Sequence, residues 1–289
     1  MLKQLQLFAL GLEPSDISDW TPVSPVEGLV VPTIAWRLGE AAPPSLKGLR
    51  RYTWTRYQVL YRKAQELQRI FNLPAFLADD LNLAGRGYPD PSARSMEGLD
   101  FYLREKDLEK AEKRLREYGW NRPSWEPVVG SVELRKEEDP ELRLRLWHSL
   151  YPGLHYQPEL PWSDRSEELI HLPLGEQFWR TCWIKREPLW LIDSWFLLER
   201  GAGRDPSFLS PYLKGWERTA RRQVGSAYRF PAAAREDWSF WDLLLSVSCG
   251  RESPLWNRLE ELSTAIRDDL ACGKDPGHRL RTLLRKSRV

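Results

Sequence analysis

The sequence predicts an α+β fold: a small mixed sheet flanked by helices and followed by a helical C-terminal region. Three observations carry this. Helical spacing of apolar residues dominates positions 1–72. Short alternating or wholly apolar runs dominate 73–174. Helical spacing returns over 175–289. These boundaries divide the chain into an N-terminal helical region, an α/β core and a C-terminal helical region. A length of 289 residues is ample for a real core, as one large domain or two modest ones.

Taken in order, residues 5–12 and 26–38 read as helices, with Pro22 and Pro25 marking the break between them. Ala41-Ala42-Pro43-Pro44-Ser45 reads as a turn or loop. A long helix follows over 46–71, where Leu60, Ala64, Leu67 and Phe71 recur at helical spacing and Arg56, Lys63 and Gln68 punctuate the wet side. Asn72 and Pro74 end it. Ala75-Phe76-Leu77-Ala78 reads as a short buried strand leading into Asp79-Asp80. Residues 81–87 suit a short helix, and Tyr88-Pro89-Asp90-Pro91 a turn.

Leu99 to Leu103 reads as a strand. Leu99, Phe101 and Leu103 share one face, and Asp100 and Tyr102 the other. Asp107 is placed to cap the next helix, 107–118, with Leu108, Ala111 and Leu115 as its buried stripe and Gly119 as its stop. Segments 131–136 and 142–147 read as an antiparallel hairpin. In the second, Leu142, Leu144 and Leu146 alternate with Arg143, Arg145 and Trp147. Beyond 175, helices are expected near 175–184, 187–200, 208–223, 238–249, 253–271 and 276–286.

Composition excludes several function classes. The 43 basic and 41 acidic residues nearly cancel, to a net charge of +2, so neither a polyanionic partner nor a membrane surface is implied. No uninterrupted apolar run is long enough to span a bilayer. Cys182, Cys249 and Cys272 have no paired or metal-type spacing and read as reduced thiols of a cytoplasmic protein. The apolar first residues, soon followed by Glu13 and Asp16, read as a first helix rather than a signal peptide. Fifteen tryptophans are the oddity, several beside arginine, as in Trp36-Arg37 and Trp179-Arg180. Scattered along the chain, they suit a core of large rings with arginine stems packed on them better than a stacking surface for bases or sugars. His148, His155, His171 and His278 have no paired metal-ligand spacing. The basic run His278–Arg288 suits a helix end, or a docking helix for an acidic partner or nucleic acid.

The order of motifs over about 28–200 resembles the family of bacterial uncharacterised nucleotidyltransferases. The residues that carry the resemblance are Val31-Pro32 through Leu38, a long helix, and Leu73 through Asp80. Then come Tyr88-Pro89-Asp90-Pro91, Arg94, Met96 and Leu99-Asp100-Phe101, Tyr118-Gly119-Trp120 after a helix, and Trp190-Leu191-Ile192-Asp193. The resemblance implies a nucleotidyltransferase fold in which two strand acids, two positions apart, hold the metal for nucleotidyl transfer.

Three departures alter that implication. The paired acids fall on Gly98 and Asp100, so one carboxylate is missing. The family's Lys-Gly in the phosphate-binding turn falls on Asp79 and Asp80, which repel a triphosphate. A further acid on a later strand falls on Arg145, which makes an ion pair with Asp100 the expected relic of a metal site. Asp79 and Asp80 also suit a helix N-cap and first-turn acid, and Asp100 an edge-strand acid facing water. Asp193, within an apolar helix, calls for an arginine or a hydrogen-bonding neighbour.

The resulting expectation is a nucleotidyltransferase-like protein that has lost metal and NTP binding. It would serve as a binding or assembly module with a protein partner, needing no cofactor and engaging neither membrane nor nucleic acid. The alternative is an active Mg-dependent nucleotidyltransferase. It would move a nucleotide from an NTP to an acceptor, with Asp100 joined by Asp79, Asp80 or Glu97 around the Mg²⁺. A third reading is an unrelated helical interaction protein.

Overall fold

The computed structural model describes residues 2–12, 28–123, 130–152, 158–162, 168–184, 186, 189–202, 209 and 213–224. The helices expected beyond 225 and the basic run near the C-terminus lie outside them. The fold class is α+β, eight α-helices with one six-stranded mixed sheet among the described residues.

Two short helices, α1 (Leu2–Leu10) and α2 (Val31–Leu38), precede the long α3 (Pro44–Phe71). This last helix starts two residues before the expected position, inside the segment read as a loop. Proline suits the first helical position, where its fixed φ is already helical and its missing N–H was unneeded. Asn72 stops α3 in the left-handed conformation at φ 43°, returning its N–H to the Gln68 carbonyl.

Strand β1 (Ala75–Ala78) runs straight into the one-turn helix α4 (Asp79–Asn82), and a π-helical turn continues it over Leu83–Gly87. β2 (Gly98–Leu103) is followed by α5 (Glu105–Glu117). That helix starts earlier than expected. Arg104 is its N-cap without a side-chain bond, and Asp107 lies inside the first turn, where a negative charge still favours the helix dipole. β3 (Trp120–Asn121), the hairpin β4 (Ser131–Lys136) and β5 (Asp139–Trp147), and β6 (Ile170–His171) complete the sheet. Helices α6 (Leu174–Ile184), α7 (Leu189–Glu199) and α8 (Leu213–Val224) follow.

The strand order is β3-β4-β5-β2-β1-β6. β2 is therefore central, antiparallel to β1 and parallel to β5, and all six of its residues are buried. Alternation along it feeds two cores. Leu99, Phe101 and Leu103 join Leu77, Leu144 and Leu146 under α3 and α5, where Phe71 meets Phe101 edge-on at 5.1 Å. Tyr102 joins Phe76, Trp147, Phe178, Trp190 and Phe196 on the other face, under α1, α6 and α7. The tryptophans serve these cores. Trp54 alone is exposed among the described ones.

Candidate functional site

The antiparallel β1–β2 ladder sets Asp100 opposite Ala78, and the chain turns at the next residue, Asp79. Asp79 holds φ 48°, a left-handed conformation rare outside glycine but tolerated by Asp and Asn. Its N–H is received by Gln177 Oε1 at 3.0 Å, which anchors the strained turn to α6. This junction gathers Asp79, Asp80, Glu97 and Asp100 on the sheet face that also carries Arg143, Arg145 and Trp147. Asp79 and Asp80 are acids of the first turn of α4 rather than its cap; Ala78 occupies the N-cap position. Nor is Asp100 an edge acid facing water. It lies in the central strand and is fully buried.

Each of these aspartates meets a guanidinium. Arg180, itself fully buried, grips Asp79 through two bonds of 2.7 Å and donates a third to the Leu150 carbonyl. Asp80 Oδ1 receives Arg94 at 2.8 Å and Arg186 at 2.7 Å, while Oδ2 takes the Glu97 N–H at 2.8 Å. Arg145 Nε lies 2.9 Å from Asp100 Oδ1, which also accepts from Trp147 Nε1 at 2.9 Å. The Arg145 contact is an ion pair rather than a hydrogen bond, its Nε–H not being aligned on the carboxylate. Glu97 is held by Arg186 and, at 3.3 Å, by Arg143. Trp147 ties the pairs together: the Arg180 guanidinium lies 4.3 Å and that of Arg145 5.2 Å from its ring centre.

Arg94 extends the cluster to α7, gripping Asp193 at 2.8 and 3.0 Å, and Tyr88 donates to the same carboxylate at 2.7 Å. This is the arginine partner that Asp193 calls for. The rest of the motif is likewise structural. Asp90 receives the Ser92 N–H and Arg50, Thr33 donates to the Ala93 carbonyl, and Arg56 to that of Met96.

Charge follows from this geometry. Burial pushes the Asp80 carboxyl up, but Arg186, Arg94 and the Glu97 N–H outweigh it and hold it well below the usual range. Asp79 is lowered in the same way: burial opposes ionisation, and Arg180 overcomes it. Burial disfavours the Arg94 and Arg186 cations, yet their carboxylates raise both far above any working pH.

Position 98 is closed to an acid. A Cβ there would stand 2.4 Å from the Arg143 carbonyl oxygen of the paired strand, a distance that forces the backbone to shift. Glycine is required by this close approach. Magnesium needs several oxygen ligands around an open centre. Here Asp79 spends its oxygens on Arg180, Asp80 on Arg94, Arg186 and the Glu97 N–H, Glu97 is shared between Arg186 and Arg143, and Gly98 offers none. Asp100 Oδ2 is the one aspartate oxygen of the cluster without a hydrogen bond among the described residues. No group of three or more His, Cys, Asp or Glu among them is arranged to hold a metal ion. These residues do not fit a magnesium centre.

Asp79, Asp80, Glu97, Asp100 and Arg145, all singled out by the sequence, come together in the structure. Arg180, Arg186 and Gln177, which the sequence does not single out, reach the cluster from about ninety to a hundred residues away. The available signal was polar Gln177 and Arg180 one turn apart amid the apolar residues of α6. Compared with known proteins, the chain matches no family model, no curated protein and no solved structure.

Proposed function

We propose that the protein is a nucleotidyltransferase-like scaffold whose cleft carries arginine–carboxylate pairs in place of metal and nucleotide, and that it acts as a binding or assembly module. One observation carries the reading. The aspartates that the motif resemblance aligns with a catalytic cleft are each held by a guanidinium, Asp79 by Arg180, Asp80 by Arg94 and Arg186, and Asp100 by Arg145. Nucleotidyl transfer needs cations that are free to meet the triphosphate and carboxylates that are free to meet Mg²⁺. In this arrangement each group cancels the other. An active enzyme would have to withdraw Arg145, Arg180 and Arg186 together and leave Asp79 and Asp100 buried without a guanidinium, at a cost of several kcal/mol per uncompensated charge.

Titration calorimetry of the full chain with MgATP, MgGTP, MgCTP and MgUTP tests the reading. The expected result is no magnesium-dependent heat with any of the four up to about millimolar concentration. Micromolar, magnesium-dependent binding of any one would overturn it and restore the active nucleotidyltransferase.

A further inference from the structure

On the sheet face turned away from the arginine cluster, helix α3 leaves an apolar stripe uncovered. Tyr52 and Val59, each 60% exposed, lie seven residues apart and so on one flank of the helix. Between that flank and the first residues of β5 runs a groove of about 610 Å³, with buried Leu60 and Leu142 at its floor. Opposite charges line its two sides. The helix wall carries Arg56, Arg62 and Lys63 against a single acid, Glu66, and the strand lip carries Asp139 and Glu141. Arg56 is engaged with the Met96 carbonyl and Lys63 with Glu66, whereas Arg62, Asp139 and Glu141 have no ion-pair partner among the described residues.

We infer that this groove is the contact of a symmetric dimer of the chain. A two-fold contact must be self-complementary, each patch meeting its own copy. Here the cationic wall and anionic lip border one groove, so a two-fold axis along the groove, between Val59 and the β5 lip, lays each copy's wall against the other's lip. Val59 and Tyr52 of each copy then face the other's groove above Leu60 and Leu142. An exposed aromatic beside exposed Val is the composition of an interface centre, and the charged margins that of its rim. The exposed apolar area on this flank is limited to Tyr52 and Val59, which points to a modest interface and reversible association. Nothing in this inference depends on the arginine cluster: its floor belongs to the core beneath α3.

Sedimentation equilibrium of the full chain over about 1–200 μM tests it, with an expected dissociation constant of about 1–50 μM. The mass should rise from 33.9 kDa towards twice that value. Val59→Glu should weaken association at least about tenfold. Arg62→Glu and Glu141→Arg should each weaken it about fivefold, and the two together should restore it, as opposite charges facing across copies require. All three positions are exposed, so thermal melting below about 1 μM, where the chain is monomeric, should stay unchanged. Val59→p-benzoylphenylalanine in the otherwise native chain should photocrosslink to α3 or the β5 lip of a second copy. A monomer at every concentration would overturn the inference. So would a dimer indifferent to Val59→Glu and to the charge exchange, or crosslinks confined to one chain, including any to residues 225–289. Loss of dimer with no nucleotide binding would leave the proposed function standing.

Discussion

Arg94 is the residue on which the cluster turns. It is 1% exposed and holds Asp80 and Asp193, from α4 and α7, in one guanidinium plane. Five donors in a rigid fork allow this; an ammonium presents a point charge instead. Arg94→Met should cost about 3–5 kcal/mol in urea unfolding, because Asp193 loses its guanidinium and Asp80 one of two. Arg94→Lys should recover only part of that. Gly98 makes the opposite demand. Gly98→Ala should destabilise by about 1–3 kcal/mol, since its Cβ meets the Arg143 carbonyl and the β2–β5 ladder must move. Gly98→Asp should lose more and gain no affinity for Mg²⁺ in calorimetry. A stable, magnesium-binding Gly98→Asp protein would contradict the account of why the acid is missing.

Elements are joined here by conformations that few residues adopt. Asn72 ends α3 with φ 43° so that β1 can begin three residues later. Asn72→Val should cost about 1–3 kcal/mol in thermal or chemical unfolding, because β-branched residues resist the left-handed region. β6 contributes His171, whose Nδ1 lies 3.0 Å from Asn82 Oδ1 and whose ring stacks on Tyr61 of α3. Burial, aided by nearby Arg86, lowers it from 6.5 to about 4. Between these values the unfolded chain carries the extra proton, so stability falls as pH drops from 6.5 towards 4. His171→Gln should flatten the melting temperature over that window.

Much at this scale was legible in sequence. The α3 stripe, the β4–β5 alternation and the two faces of β2 are strong periodic signals. β3 and β6 have two residues each and therefore no period. The starts of α3 and α5 depend on backbone at Pro44 and Arg104 rather than on a side-chain cap, which is why Asp107 misled.

At the scale of the molecule, the arginine cluster clamps the β1–α4 junction to α6 and α7. Its acids were legible as a local motif, but its cations were not. Arg180 is 101 residues from Asp79, and no local pattern records such a pairing. The cluster also sets the acid response. Asp79 and Asp80 titrate below the usual 3.8, so the unfolded chain takes up protons first. Their stabilisation is complete above about 3.8 and drains as pH falls through their folded values. Thermal melts from pH 5 to 2 should show this loss, and Arg180→Met should lessen it by removing the charge that lowers Asp79.

Anomalous diffraction from crystals grown with MnCl₂ and a non-hydrolysable NTP decides whether the arginines stand where a metal would. The expected result is no manganese peak at the cluster, with Arg145, Arg180 and Arg186 still on Asp100, Asp79 and Asp80. A peak about 2.1 Å from oxygens of two or more of Asp79, Asp80, Glu97 and Asp100, with those guanidiniums withdrawn, would contradict it.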